Sequence, residues 1–316
     1  MSQPVIIRPA SHEEWLQERK KGIGASEISA LLGLNPWVSP YQLWLYKTAE
    51  GPAEDKIKDN AAVIAGHMLE EAVAQYYQLA TGRHVIKASA GDWLAVHPEK
   101  PWMRCSPDRT FFLAGNGGEK GILECKTTRS ALDPSDLPKN YYLQVQWQLG
   151  IMGMREGALA WLVAGMTFDF AKISFDPALF SSLSATAEEW WQKHVVGGVP
   201  PDPVTADEVR LAYPTSKVAS SIATEEAVEA YHRLKDIKAQ CKALEAEAKG
   251  LEDIICKEIG GNEALVVSDK TGGCATLATF KSAERSTFDT KAFKADHPEE
   301  YSAYLKTATC RTLRLK

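Results

Sequence analysis

The chain has no closely spaced cysteine pair, no long apolar run, no secretion leader and no excess of positive charge. Each absence narrows the field. Its six cysteines, Cys105, Cys125, Cys241, Cys256, Cys274 and Cys310, are scattered without a C-x-x-C pair. That argues against a zinc or iron–sulfur framework and against a disulfide-stapled secreted domain, so they read as reduced, packed side chains. No apolar stretch approaches the ~18 residues of a membrane span. The start, MSQPVIIRPASHEEW, lacks the charged and apolar regions of a signal peptide, and a cytoplasmic location is expected. The histidines show no metal-ligand spacing. With a net charge of −5, any contact with nucleic acid must rest on a local basic track. Internal repeats are absent.

What is present is the balance of a soluble globular protein: 316 residues, 45% hydrophobic and 24% charged, enough for one large domain and a smaller one. Ser11 is placed to cap a helix over 11–20, and Ser26, after Gly22 and Gly24, to cap a second one reaching about Leu32. Ser39-Pro40-Tyr41-Gln42 combines a capping box with proline in the first turn. A polar loop over 50–59 leads into a long helix from about Asn60 to Thr81, closed by Gly82. Strands over 104–113 and 121–128 flank a turn-rich stretch, 114–118. Asn140 is placed to cap a helix over 141–154, followed by strands at 158–164 and 168–175 and a helix from Asp176 to about Val195. The Gly- and Pro-rich segment 197–203 sets the domain boundary. The expected division is a domain of residues 1–200, a linker 201–223 and a C-terminal domain 224–316. There, Ala227, Ala230, Leu234, Ile237, Cys241, Leu244, Ala248, Leu251 and Ile255 recur at alternating three- and four-residue spacing, a coiled-coil-like seam.

Two segments carry chemistry on their own terms. The turn Cys105-Ser106-Pro107-Asp108 opens one strand, and Glu124-Cys125-Lys126 lies in the next. Alternation along a strand puts Glu124 and Lys126 on one face and Cys125 on the other. Hydrolysis of a phosphodiester needs an activated water and a neutralised leaving oxyanion, and a divalent cation held by carboxylates supplies both. Magnesium takes one or two carboxylates plus waters and phosphate oxygens. Asp108 and Glu124 are the candidate ligands, with the Cys125 backbone carbonyl as a third donor. Lys126 would orient the water or stabilise transition-state charge. By itself an Asp followed by Glu-x-Lys is common, and a cross-strand surface salt bridge is the plain alternative.

Other motifs strengthen the catalytic reading. Arg19 with Gly24-Ala25-Ser26-Glu27, then Gly66-His67-Met68-Leu69-Glu70, then Gln144-Val145-Gln146 stand in order around the two segments above. Together they resemble the lambda exonuclease and YqaJ-like viral recombinase family, a branch of the restriction-endonuclease-like nucleases, over roughly residues 13–200. The resemblance implies an α/β fold, a central mixed sheet flanked by helices, with a smaller, mostly helical α+β domain after it. It implies a metal pair in Asp108 and Glu124, a helix acid in Glu70 that helps hold a second metal or its waters, and a catalytic lysine in Lys126. Gln144 would position the nucleophile, with Tyr141 one turn earlier as a DNA contact. Arg19, Ser26 and Ser106 would grip a 5′-terminal phosphate. The residue chemistry agrees, since an arginine fork and free amides at a helix start both suit phosphate.

The activity implied is a Mg²⁺-dependent 5′→3′ exonuclease, with Mn²⁺ as a substitute, that converts linear double-stranded DNA to 5′-mononucleotides and 3′ single-stranded tails. The implied partners are DNA ends, a single-strand annealing protein and further copies of the chain in a ring, a trimer being one candidate. The setting implied is a phage- or prophage-encoded protein in a bacterial host.

Helical periodicity does not choose between Glu70 and Glu71. Ile64, Met68, Ala72, Tyr76 and Leu79 form the obvious apolar stripe, which Glu71 borders, whereas Glu70 shares a face with Val63, Ala74 and Tyr77; the Gly-x-x-x-Glu spacing selects Glu70. His67 reads as a surface or half-buried histidine. Trp37 and Tyr41 could stack on bases, but core packing is the better expectation for both, and Trp190-Trp191 is expected to pack on the sheet. Two rival readings stand beside the exonuclease: an endonuclease of the same fold, and a non-catalytic protein that binds DNA ends or a partner.

Overall fold

The computed structural model describes residues 3–51, 60–87, 91–113, 118–268 and 273–316. The chain forms two compact units, the first ending at Ala212 and the second spanning Tyr213–Lys316.

The first unit opens with β1 (Val5–Ile7) and α1 (His12–Lys20), whose cap Ser11 accepts the Glu14 amide at 3.2 Å. Ser26, expected to cap the next helix, does not. Ala25–Glu27 is a 3₁₀ turn preceded by Gly24, whose amide is taken by the Glu27 carboxylate at 2.7 Å, and the helix proper, α2 (Ile28–Leu31), starts afterwards. The Glu27 carboxylate closes the turn onto Gly24 and Glu27 itself takes the cap position of α2, while the Ser26 hydroxyl accepts from Arg19 Nη2 at 3.5 Å. At α3 (Pro40–Thr48) the capping box forms as read, with Ser39 and Gln42 exchanging hydrogen bonds at 3.0 and 3.3 Å. Such a cap contributes ~1 kcal/mol. Asn60 caps α4 (Ala61–Thr81), and Gly82 closes it at φ +68°, a conformation that favours glycine.

Next come β2 (Val85–Lys87), β3 (Leu94–Val96), β4 (Arg104–Cys105), β5 (Arg109–Phe112) and β6 (Lys120–Thr128). The single strand expected over 104–113 is broken at Ser106-Pro107-Asp108, where proline has no amide to give a ladder. Its first part joins a three-stranded antiparallel sheet, β1-β3-β4, while β5 joins the central one. The expected turn at 114–118 lies mostly outside the described residues. After β6, α5 (Lys139–Met152) starts one residue earlier than its expected cap. The Pro138 carbonyl accepts the first free amides, from Tyr141 and Tyr142, and Asn140 lies inside the helix. Then follow β7 (Glu156–Val163), β8 (Thr167–Ser174), α6 (Pro177–Trp190), which continues as a π-helical stretch Trp191–Val196, and α7 (Ala206–Ala212).

The central sheet is mixed, in the order β2-β5-β6-β7-β8, with β6 and β7 parallel and the other neighbours antiparallel. A parallel pair needs a crossover, and α5 supplies it. Because β6 and β7 are buried on both sides, alternate residues feed two cores. Leu123, Cys125, Ala158 and Ala160 pack with Val73, Ala74 and Tyr77 of α4, while Ile122, Leu159 and Trp161 pack with Val145 and Leu149 of α5. A third cluster joins Ile23, Ile28, Leu43, Trp102, Trp147 and Trp190 with Ala95 of β3 and Cys105 of β4, so Trp190 lies in a core shared by helices and the three-stranded sheet, not against the central one. Gly150 permits this packing, since a Cβ there would sit 2.1 Å from the Phe180 ring.

Helix α4 buries Val73, Ala74 and Tyr77 and leaves Met68 76% and Leu79 83% exposed, so the face that packs is the one Glu70 shares with Ala74 and Tyr77. One expectation of core packing fails elsewhere. Trp37 is 69% exposed, in a turn where Asn35 Oδ1 accepts the Trp37 and Val38 amides, although Tyr41 is buried.

The segment read as linker is partly structured. Buried Glu208 of α7 accepts from Ser39 Oγ at 2.8 Å and from the Val204 amide at 2.8 Å, which ties α7 to the start of α3 within the first unit.

In the second unit, Thr224 caps α8 (Glu225–Ile259), followed by the antiparallel hairpin β9 (Ala264–Ser268) and β10 (Cys274–Thr279), then α9 (Thr290–Asp296) and α10 (Pro298–Ala303). The chain returns along α8, where the Lys316 carbonyl oxygen accepts from Tyr231 Oη at 2.6 Å. Among the described residues no helix is long and apolar enough to cross a membrane.

Candidate active site

The site lies where β5 stops short of β6. Pairing between them begins at Arg109 opposite Leu123, so beyond Leu123 the edge of β6 has no strand beside it. Asp108, the residue just before β5, fills that gap by accepting the Cys125 amide on Oδ2 at 2.8 Å. Since the N–H and C=O of one residue share a strand edge, the Cys125 carbonyl faces the same gap.

Glu124 points to the α5 face and is buried. Its Oε1 accepts from Lys126 Nζ at 2.6 Å and from Gln144 Nε2 at 2.6 Å, and its Oε2 accepts from Gln148 Nε2 at 2.7 Å. Lys126 also lies over the Tyr141 ring, 5.5 Å from its centroid. A cation on an aromatic face with a carboxylate on its other side has little rotational freedom.

Glu70 reaches the region from the opposite face of the sheet. Its Oε2 lies 3.4 Å from Arg109 Nη1, and the same guanidinium meets Glu71 at 3.2 Å while donating to the Asp108 carbonyl at 2.7 Å. Glu70 is the better buried of the two acids, and its charge is felt at Asp108. His67 is exposed.

The electrostatics are strained in one direction. Burial, and then repulsion from Glu124, push the Asp108 carboxyl well above the ordinary aspartate range, with Glu70 adding to it and Lys126 opposing. Burial works against the charge on Lys126, but Glu124 and Asp108 outweigh it and hold the ammonium above its usual value. Two carboxylates compressed around one lysine are short of positive charge. That is the condition a divalent cation relieves.

Donor chemistry fits such an ion. Among the described residues no three His, Cys, Asp or Glu side chains form a metal cage. Two carboxylates and a backbone carbonyl suit magnesium, which keeps several waters and does not require a full protein cage. Cys125 offers only its backbone, because its thiol turns into the α4 core and burial raises its pKa.

The residues expected to grip a terminal phosphate are only partly brought together. Arg19 Nη2 donates to Ser26 Oγ at 3.5 Å, and its guanidinium carbon lies 4.7 Å from the Trp15 ring centroid. The Ser106 hydroxyl donates instead to the Trp93 carbonyl at 2.6 Å. The Gly24 amide, which precedes this turn, is held by Glu27. Glu27 also pairs with Lys47 at 2.7 Å and with Arg19 at 3.8 Å. The pocket thus contains two cations and a resident carboxylate.

Lys47 has a testable signature. Burial, opposed by Glu27, lowers its pKa from 10.5 to about 8. Between those values the unfolded chain binds more protons than the native one, so this residue's contribution to stability rises with pH across that window and falls away toward pH 8. Urea unfolding of wild type and Lys47→Met at about pH 7.5 and pH 9.5 should show their difference shifting in favour of wild type at the higher pH. A difference that ignores pH would mean that Lys47 titrates normally.

Sequence reasoning missed Arg109, Lys47, Gln148 and the part played by Glu27. Only Gln148 left a signal, standing one helical turn after Gln144 in a helix with little polar surface.

Fold and site define a mixed α/β protein with two carboxylates and a lysine gathered where a central strand loses its neighbour. Comparison with known proteins makes this specific. The YqaJ-like viral recombinase domain matches residues 14–155. Protein YqaJ of Bacillus subtilis (strain 168) is 31% identical over 97% of this chain and 94% of that protein. The chain belongs to the YqaJ-like viral recombinase family. Among solved structures, an alkaline exonuclease (LHK-Exo) from Laribacter hongkongensis is 20% identical with a TM-score of 0.46, covering 58% of this chain and 93% of that one. A phage-related exonuclease from Haemophilus somnus 129PT is 10% identical with a TM-score of 0.38, covering 56% of this chain and 96% of that one.

Proposed function

We propose that the protein is a magnesium-dependent 5′→3′ exonuclease acting on linear double-stranded DNA. The observation that carries this reading is the convergence of Asp108, Glu124, Lys126 and Gln144 on the open edge of β6. Magnesium, bound to Asp108, Glu124 and the Cys125 carbonyl, would lower the pKa of a coordinated water and polarise the scissile phosphate. The chain's own groups do the rest. Glu124 is fixed by three donors and cannot rotate away from the phosphate. The Lys126 ammonium stays charged through neutral pH and is placed to neutralise charge developing on the phosphate oxygens. Gln144 shares Oε1 of Glu124 with Lys126 and would help position the attacking water.

Arg19 and Ser26 would hold the 5′-terminal phosphate, joined by Ser106 once its hydroxyl turns from the Trp93 carbonyl to donate to the phosphate. Each cut leaves a new 5′ phosphate, so one pocket would serve every successive nucleotide. The resulting 3′ tails would be handed to a single-strand annealing protein. A homo-oligomeric ring around the duplex would account for processive digestion.

The test is magnesium-dependent digestion of a 5′-phosphorylated linear duplex beside the same duplex with 5′-hydroxyl ends and a closed circle. Release of mononucleotides from the phosphorylated linear duplex, with the circle intact, is the expected result. Cutting of the circle would replace this reading by an endonuclease, and no digestion at all would leave a DNA-binding protein.

Within that assay, Arg19→Ala should reduce the preference for phosphorylated over hydroxyl ends by about 10- to 100-fold, the worth of one charge-assisted hydrogen bond. An unchanged preference would move the end pocket elsewhere.

A further inference from the structure

Helix α5 carries three buried glutamines at alternate positions, and their surroundings differ. Gln146 is satisfied at both ends of its amide: Nε2 donates to the Ser174 carbonyl at 2.8 Å and Oε1 accepts the Asp176 amide at 3.0 Å. It fastens the start of α6 to the helix. Gln144 and Gln148, one turn apart on another face, both donate to Glu124.

Gln148 is fully buried, and its Oε1 finds no donor among the described residues. The amide cannot be reversed to repair this. Glu124 only accepts, so the Nε2 end must face it and the oxygen must face away. An unsatisfied buried carbonyl is disfavoured, and an apolar side chain of the same shape would fit the α5 core without that cost. A purely structural glutamine would resemble Gln146.

We propose that Gln148 is a positioning residue for the metal site, holding Oε2 of Glu124 so that the carboxylate meets the divalent cation in one orientation. This rests on the metal-dependent reading above and deepens it. Lys126 and Gln144 occupy Oε1, so among the described residues Gln148 is the side chain that donates to the second oxygen. Without it Glu124 pivots about its Oε1 contacts, and the metal-facing lone pair loses its fixed direction. Gln148 touches no substrate and acts only through Glu124.

The experiment is direct Mn²⁺ binding to the DNA-free full chain, by calorimetry or by electron paramagnetic resonance of the free ion, with thermal melting measured alongside. Gln148→Met is expected to weaken Mn²⁺ binding by about tenfold with little net change in melting temperature, because relief of the unsatisfied Oε1 offsets the donor lost at Glu124 Oε2. Gln146→Met, the control, is expected to lower the melting temperature and leave Mn²⁺ affinity unchanged. Gln148→Asn, which keeps the donor on a shorter arm, stands in should the methionine variant not fold, and its affinity is expected to fall below wild type. Wild-type Mn²⁺ affinity in the Gln148 variants, or a loss that only tracks melting as in Gln146→Met, would overturn the proposal. Failure of the wild-type chain to bind Mn²⁺ would instead overturn the metal reading on which it rests.

Discussion

Lys126→Ala is expected to abolish the proposed hydrolysis of linear duplex DNA while leaving the duplex bound. The expected loss in turnover is at least about 10²–10³-fold, the range for removing one preorganised donor from a transition-state oxyanion. The substitution also strips Glu124 of its counter-charge, and one-sided removal of a buried ion pair costs roughly 3–5 kcal/mol. The variant should therefore melt lower without magnesium than wild type. Because the lysine side chain is partly open to solvent, the real cost sits toward the low end of that range. Gel-shift binding without magnesium, at a temperature where the variant is folded, separates lost chemistry from lost structure. Retained activity would remove Lys126 from the mechanism and return the Glu-x-Lys pattern to a structural ion pair.

Asp108→Asn gives the second large effect, with activity and stability moving in opposite directions. The substituted amide oxygen can still accept the Cys125 amide, so the gap beside β6 stays closed. What disappears is a buried carboxyl held well above the usual aspartate range by burial and by Glu124. Removing that repulsion should stabilise the metal-free first unit by ~1–3 kcal/mol, and each kcal/mol is worth ~2–4 °C in a unit of this size. Hydrolysis should fall to background because a metal ligand is gone. Melting curves with and without magnesium read both effects. Wild type should gain thermal stability from the ion and Asp108→Asn should not. A variant that melts lower than wild type would show that Asp108 acts as a structural acceptor, not as a strained ligand.

These outcomes depend on features of unequal visibility in the sequence. Alternation along β6 was enough to put Glu124 and Lys126 on one face with Cys125 opposite, because a strand has a fixed period of two. Capping chemistry located the starts of α1, α3 and α4, since the Ser11, Ser39 and Asn60 side chains had no stronger competitor nearby. At Ser26 the helix start is shifted instead: the Glu27 carboxylate closes a 3₁₀ turn onto the Gly24 amide, and Glu27 takes the cap position of α2. No local rule chooses between those two neighbouring residues.

On α4 periodicity leaves the choice between Glu70 and Glu71 open, because it does not say which face packs; Val73, Ala74 and Tyr77 do, against the sheet. Both acids then reach Arg109, but Glu70 is the more buried and its charge is felt at Asp108.

By itself the sequence determined the order of elements, the faces of β6 and the family to which the chain belongs. These depend on local periodicity, local hydrogen bonding and motif order. Tertiary structure alone decided that β5 would end opposite Leu123, opening the edge that Asp108 fills, and that Gln148 would spend its amide on Glu124 with its oxygen unsatisfied. It also decided that Glu27 and Lys47 would occupy the pocket beside Arg19. Each is a contact between residues distant along the chain or a choice among competing partners, and burial settles such choices only once the core has closed.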